Sequence, residues 1–123
     1  MPTQEYDYGM IGLGTMGRNL VYNMCDYGYS VAGFDKDPEK TKTLESDAGG
    51  RKVAGINLVE DFVTALKSTK VILLLVPAGR VLTSVLKVLK TFLIHNDLLI
   101  AFGYSHFTVT RFSIHQLANA PHH

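Results

Sequence analysis

The chain has 123 residues, of which 46% are hydrophobic and 19% charged, and its formal net charge is +1. This length suits one domain, residues 1–123, and the composition is too apolar for a disordered chain. The near-neutral charge without a basic run argues against general nucleic-acid binding, and no apolar run is long enough to span a bilayer. We therefore expect a soluble cytoplasmic domain with neither nucleic acid nor membrane as a partner.

The first half of the chain alternates between short apolar strands and amphipathic helices. A strand is predicted at residues 8–11, and a glycine-rich turn leads from it into a helix that stops near Gly28. A second strand is predicted at residues 31–34. Asp37 followed by Pro38 is typical of a helix N-terminus, because the Asp side chain accepts a hydrogen bond there and proline fits the first helical position.

The second half of the chain continues this alternation. Residues 71–76 form an uninterrupted apolar run, which is typical of a central parallel strand covered on both faces. Around it the pattern predicts a short strand at 53–54, helices at 58–66, 81–93 and 108–119, and a fifth strand at 98–102. Strands that alternate with helices predict an α/β fold, in which helices cover both faces of a parallel sheet.

The most informative segment is the glycine-rich turn, whose residues are Gly12, Leu13, Gly14, Thr15, Met16 and Gly17. It has the pattern GxGxxG and joins a predicted strand to a predicted helix. In that position the first glycine permits the tight turn, the second lets the backbone approach a pyrophosphate, and the third lets the helix pack against the strand. The helix N-terminus then offers N–H groups to the phosphates. The alternative is a purely structural glycine turn.

An acidic residue stands at the end of the second predicted strand, 18 residues after Gly17. A carboxylate there, Asp35, can accept hydrogen bonds from the hydroxyls of an adenosine ribose. Its charge would repel a 2′-phosphate, which favours NAD. Lys36 beside it could contact that phosphate or cover the adenine, so NADP stays open. The alternative for Asp35 is a loop carboxylate near the Asp37 cap.

Residues 9–20 (GMIGLGTMGRNL), with the segment that follows to residue 31, resemble the N-terminus of the 6-phosphogluconate dehydrogenase family. The segment LLVPAG at residues 74–79 resembles that family's loop after the fourth strand. The resemblance extends from about Gly9 to Leu99 and is most specific over these two loops. The related β-hydroxyacid dehydrogenases share the glycine loop and are the nearest alternative. A methyltransferase is a more distant one, against which the second loop argues.

The resemblance implies a Rossmann-type, doubly wound parallel sheet of about five strands with flanking helices, the family's sixth strand being absent. It implies that residues 12–17 hold the pyrophosphate, that Asp35 and Lys36 flank the adenosine, and that Val76, Pro77 and Ala78 line the cofactor groove. The family oxidises and decarboxylates 6-phosphogluconate with NAD(P). Its catalytic lysine and acid lie further along than this chain extends, so we expect no catalytic residue and no activity of the chain alone. From the residues themselves we expect no metal site, because there is one cysteine and the five histidines lack metal-ligand spacing.

The similarity breaks after the fifth predicted strand. The family's Asp-Gly-Gly-Asn-Ser stands here as residues 101–105, AFGYS, and Tyr104 cannot reproduce the amide of the asparagine that contacts nicotinamide and substrate in the family. This segment is unusually aromatic. Aromatic residues concentrated on one edge are typical of interface hot spots, and here they are Phe102, Tyr104, Phe107 and Phe112.

These aromatics support a second hypothesis, in which the Rossmann scaffold has been rebuilt, naturally or by engineering, as an interaction module through residues 101–112. Without a sixth strand, residues 98–102 would be an open edge with unpaired N–H and C=O groups. We therefore predict a homodimer through the fifth-strand edge. The competing outcome is that the helix at 108–119 folds over this edge within one chain.

Overall fold

The structure is a computed structural model and describes residues 5–75, 86–94, 96–103 and 106–111. Its strands and helices follow the predicted alternation of strand and helix up to the fifth strand. In chain order they are β1 (Tyr8–Ile11), α1 (Thr15–Asp26), β2 (Val31–Phe34), α2 (Pro38–Ser46), β3 (Val53–Ile56), α3 (Val59–Thr64), β4 (Val71–Leu74), β5 (Leu98–Gly103) and β6 (His106–Arg111). Residues 86–89 add one helical turn, within the helix predicted at 81–93.

All the strands of the described residues belong to one sheet, in the order β3-β2-β1-β4-β5-β6. The pairs from β3 to β5 are parallel, and β5 and β6 pair antiparallel. The carboxyl ends of β1, β2 and β3 lie side by side, because Ile11 is paired with Phe34 and Phe34 with Ile56. The loops that follow these three strands therefore meet at one edge of the sheet. The predicted α/β fold with a mostly parallel sheet is confirmed.

A sixth strand is present, and the prediction that it is absent is wrong. β6 forms a hairpin with β5 in a register that runs from Gly103 opposite His106 to Leu98 opposite Arg111. The segment HFTVTR is rich in aromatic and β-branched residues, which favour a strand. A helix beginning at Thr108 is therefore wrong for residues 108–111, and the rest of that predicted helix lies outside the described residues.

The hairpin removes the argument on which the predicted dimer was based. β5 is paired with β4 on one side and with β6 on the other, so its backbone groups are not an open edge. β6 is the outer strand instead. Among its last residues the side chains of Val109, Thr110 and Arg111 are exposed. Self-association itself stays a prediction.

The sheet separates two apolar cores. On one face, α1 and α2 cover a cluster that contains Met10, Leu13, Val21, Val31 and Leu44. On the other face, α3 and the segment 86–94 cover a larger cluster that includes Phe62, Leu66, Ile72, Leu89 and Leu93. Helices therefore cover both faces, as predicted. No helix among the described residues has the length and hydropathy needed to cross a bilayer.

Helix α2 lies unusually close to the sheet because two neighbouring strand residues have no side chain. Gly33 and Gly55 are paired in register. A Cβ at Gly33 would stand 2.8 Å from a methyl carbon of Leu44, and one at Gly55 would stand 2.7 Å from the backbone oxygen of Thr41. Both distances are shorter than non-bonded contacts allow. At Gly33 the leucine side chain would have to shift, whereas at Gly55 the obstacle is the backbone of Thr41, so glycine at position 55 allows α2 to lie this close to the sheet.

Candidate functional site

The glycine-rich turn is a tight loop held by backbone geometry. Gly12 has φ of 100°, a conformation that glycine adopts at little cost. Its N–H donates to the carbonyl of Phe34, 3.0 Å away, at the end of β2. A Cβ on Gly17 would overlap the carbonyl oxygen of Gly12, so only glycine lets α1 begin this close to β1. The predicted roles of the first and third glycines agree with this geometry.

The N-terminus of α1 is open. The first turn of a helix leaves N–H groups without intrahelical acceptors, and here no side chain caps them and no acid lies among them. The cap residue, Gly14, has an extended backbone, and a Cβ there would meet nothing within 4 Å. Gly14 and Thr15 are exposed. A cradle of backbone N–H groups at the positive end of a helix dipole suits an anion.

Met16 lies on the exposed side of this N-terminus. The spacing of Met16, Leu20 and Met24, with Val21 and Cys25 beside them, predicts one apolar face of α1, but Met16 is 71% exposed. The residues of α1 that are buried are Gly17 and Val21. Leu20, Met24 and Cys25 pack against the core beside the buried Val21, so of the predicted face only Met16 departs from it. Met16 lies beside the backbone N–H groups at the start of α1, where the sequence also predicted it as a cofactor residue.

Asp35 lies against the glycine loop, and both of its carboxylate oxygens accept backbone hydrogen bonds. The N–H of Leu13 donates to Oδ2 at 2.9 Å, and the N–H of Asp37 donates to Oδ1 at 2.9 Å. The carboxylate therefore joins the β1–α1 loop to the β2–α2 turn and has a fixed direction. Each oxygen has a second lone pair that can accept a hydroxyl. Lys36 is exposed in the same turn.

The turn that carries Asp35 ends in a capped helix, as the sequence predicted. The Asp37 side chain accepts from the N–H of Glu39 at 3.0 Å, and Pro38 opens α2. Glu39 adds a second negative charge to the first turn. The N-terminus of α2 is therefore satisfied by its own residues.

Two polar residues beside this turn were missed by the sequence analysis. Asn57 follows β3 directly, as Asp35 follows β2, and its amide donates to the Asp35 carbonyl at 2.9 Å and to Thr41 Oγ1 at 3.1 Å. Thr41 is buried. The available signal was the position of Asn57, since polar residues at the carboxyl ends of parallel strands converge on one edge.

The remaining predicted residues are only partly described. Val76, Pro77 and Ala78, and the interface residues Tyr104 and Phe112, lie outside the described residues. The other two interface residues, Phe102 and Phe107, are paired opposite each other in the β5–β6 hairpin.

The perturbed carboxylates of the described residues lie away from the glycine loop. Asp7, which precedes β1 at the opposite edge of the sheet, has a lowered pKa because the Ser30 backbone N–H and then the Lys67 ammonium hydrogen-bond to it. The Arg51 guanidinium likewise lowers the pKa of Asp26 at the far end of α1. The contacts of Asp7 and Asp26 hold the start of β1 and the end of α1 in place, and we assign both a structural role. Within the ranges described, no cluster of metal-ligating side chains occurs.

A GxGxxG loop, an open helix N-terminus and an acid after the second strand, at the carboxyl edge of a sheet of this order, define a Rossmann-type dinucleotide-binding domain. A sequence model described as the NAD binding domain of 6-phosphogluconate dehydrogenase matches residues 7–123. The chain belongs to this family.

Individual relatives agree with the family. The decarboxylating 6-phosphogluconate dehydrogenase of Chlamydia pneumoniae is 39% identical over 104 residues, which are 84% of this chain and 22% of that protein. The enzyme of Candida albicans is 37% identical over 102 residues, or 82% of this chain and 20% of its own length. The chain thus spans about a fifth of the curated relatives it matches.

A solved structure supports the same assignment. The 6-phosphogluconate dehydrogenase of Plasmodium falciparum, studied in its apo form and in complexes with NADP+ and with 6-phosphogluconate, superposes with a TM-score of 0.74 at 27% identity. The match covers 79% of this chain and 21% of that one.

Proposed function

We propose that this chain binds the adenosine diphosphate half of a nicotinamide dinucleotide, with the pyrophosphate on the N-terminus of α1 and the adenosine ribose on Asp35. The observation that carries the proposal is the open N-terminus of α1, which has no side-chain cap and no acid and lies next to a carboxylate of fixed direction. An anion there satisfies backbone donors that the chain itself leaves without acceptors.

We also propose that NAD is preferred to NADP. The Asp35 carboxylate can accept both ribose hydroxyls, whereas a 2′-phosphate would bring a second anion against it. The acids of the α2 N-terminus, Asp37 and Glu39, add to this repulsion. Lys36 is the opposing influence. The Plasmodium relative is described with NADP+; the preference proposed for this chain is based on Asp35.

The nicotinamide, when bound, would supply hydride transfer, and the relatives are named for the decarboxylation of 6-phosphogluconate. We propose that this chain contributes the dinucleotide half of such an enzyme and has no activity alone. General acid–base catalysis needs a positioned proton donor or acceptor beside the substrate, whereas the Asp35 carboxylate is proposed to hold the adenosine ribose, at the other end of the dinucleotide from the nicotinamide. Reduction of NAD by the purified chain on addition of 6-phosphogluconate would contradict this.

The pyrophosphate position is tested with Gly14→Val. The backbone of Gly14 is extended and a Cβ there would meet nothing within 4 Å, so the free energy of unfolding should fall by no more than about 1 kcal/mol, the range for replacing a glycine N-cap. The valine would occupy the anion cradle, and calorimetric titration should show NAD affinity reduced at least about tenfold. Asn23→Val, at the exposed far end of α1, is the control and should bind normally. Unchanged affinity in the folded Gly14 variant would overturn the assignment.

The cofactor preference is tested with Asp35→Ala. The variant loses two ribose hydrogen bonds and also the repulsion of a 2′-phosphate, so it should weaken NAD binding by about tenfold and leave NADP binding unchanged or tighter. Dissociation constants for both dinucleotides, measured on the same samples, give the ratio. Equal losses for NAD and NADP would show that Asp35 only supports the loop.

A further inference from the structure

The turn after β2 is fixed from a neighbouring strand that the proposed nucleotide contacts do not include. β2 and β3 end in register, and the N–H of Asp35 donates to the carbonyl of Ile56, the last residue of β3. Asn57, the next residue, therefore stands beside the turn at the carboxyl edge of the sheet. It is exposed, yet its amide is engaged on both protons.

The bond to the Asp35 carbonyl fixes the orientation of the Asn57 amide. The Asp35 carbonyl can only accept, so the Asn57 Nδ2 group donates to it at 2.9 Å. The Thr41 hydroxyl has two acceptors in reach, the Pro38 carbonyl at 3.0 Å and Asn57 Oδ1 at 3.3 Å. With its proton on the nearer Pro38 carbonyl, it accepts the second Nδ2 proton of Asn57 at 3.1 Å. One side chain thus connects β3 to the Asp35 peptide and to the first turns of α2.

This contact acts on the direction of the Asp35 carboxylate. The carboxylate receives the Leu13 N–H from the glycine loop, and the carbonyl of the same residue receives the Asn57 amide from β3. Rotation of the Asp35 backbone would break one of these bonds. With both in place, the carboxylate has one orientation toward the place proposed for the ribose.

We infer that Asn57 is a positioning residue for dinucleotide selectivity, which holds Asp35 so that the site prefers a ribose 2′-hydroxyl to a 2′-phosphate. The inference rests on the proposed function. Asn57 acts through Asp35 and not by contact with the nucleotide. Its loss frees the turn, so the hydrogen bonds to NAD weaken and the carboxylate can move away from a 2′-phosphate.

The test is the ratio of the NADP and NAD dissociation constants. Asn57→Ala should lower the preference for NAD by about three- to tenfold, the range of one net hydrogen bond. Asn57→Gln, which keeps an amide donor, should restore part of it. Tyr22→Phe is the matched control, because it removes another side-chain hydrogen bond to the α2 backbone, that from the Tyr22 hydroxyl to Leu44, and should leave the ratio unchanged.

A double-variant cycle separates positioning from general support. With Asp35→Ala already present, Asn57→Ala should not change the ratio further, because the carboxylate it orients is gone. A further change of the ratio in the Asp35→Ala background, or an unchanged ratio in Asn57→Ala alone, would overturn the inference. The proposed function would still stand as long as the wild-type chain binds NAD. Failure of the wild-type chain to bind either dinucleotide would overturn both. Asn57→Leu, close in volume, carries the test if the alanine variant does not fold.

Discussion

The N-termini of α1 and α2 lie at the same edge of the sheet and are built in opposite ways. α2 begins at a proline, is capped by the Asp37 carboxylate and carries Glu39 in its first turn. α1 begins at Thr15 after the N-cap Gly14, without a side-chain cap and without an acid in its first turn. The first satisfies its own backbone donors and complements its own dipole. The N-terminus of α1 leaves its backbone N–H groups and the positive end of its dipole available to a ligand.

This difference separates a structural helix from a ligand-binding one. A side-chain cap stabilises a helix by about 1 kcal/mol relative to alanine and by a few tenths relative to glycine, so α1, with Gly14 as its cap, gives up a small stabilisation that Ser, Thr, Asp or Asn would supply. The sheet order is shared and the loops are neighbours, so topology does not distinguish the two helices. The two helices are distinguished by their N-cap residues, Gly14 in α1 and Asp37 in α2.

The largest expected effect comes from adding a side chain at Gly17, in the loop where α1 begins. In Gly17→Ala the added Cβ overlaps the Gly12 carbonyl, a backbone atom that cannot move without reshaping the loop. We expect a loss of about 3 kcal/mol in the free energy of unfolding, at the upper end for overpacking. Gly14→Ala, in the same loop but facing open space, is the control for denaturant unfolding. Equal stabilities would contradict the close approach.

A smaller effect should follow from giving α1 the charge pattern of α2. Thr15→Glu places an acid in an exposed first turn, where it should stabilise the helix by about 0.3–1 kcal/mol. The same charge should weaken NAD binding by about tenfold at low salt, and less at high salt. Asn23→Glu adds an equal charge two turns further on and serves as the reference. If both variants bind NAD alike, the pyrophosphate does not lie on this N-terminus.

The smallest effect is expected when α2 loses its cap. Asp37→Ala should cost about 1 kcal/mol of unfolding free energy, because the N–H of Glu39 loses its acceptor. NAD affinity should change little, since the Asp37 backbone N–H that holds Asp35 remains. Asp37→Ser should recover most of the stability. A loss of NAD affinity that exceeds the loss of stability would show that α2 also contributes to the site.

The parts of the fold that the sequence predicted are those determined by local chemistry. Asp37 and Pro38 form a cap within three residues, and the glycines at 12 and 17 perform their roles within one loop. The engagement of Asp35 by the N–H of Leu13, 22 positions away, depends on how β1 and β2 pair. So does the contact of Asn57 with Asp35 across β2 and β3. Such contacts follow from register, which a single sequence specifies only indirectly.

The error at β6 has a different origin. The expectation of a helix from Thr108 extended the alternation of strand and helix by one more step. The local pattern opposed it, since Thr108, Val109 and Thr110 are consecutive β-branched residues. Pairing with β5 as a hairpin needs only a two-residue connection between Gly103 and His106, whereas a parallel partner needs a long crossover. Here the β-propensity of residues 108–110 and the short hairpin connection outweighed the alternation of strand and helix seen earlier in the chain.

The short distance between α2 and β3 has a consequence for mutational tolerance. A methyl group at Gly55 would push against the backbone of Thr41, and Thr41 is the residue whose hydroxyl accepts the second amide proton of Asn57. In a library of random substitutions sorted for nucleotide binding, position 55 should therefore be depleted of every larger residue. A conservation profile or a deep mutational scan would then identify Gly55 as a binding residue, although it lies in the middle of a strand.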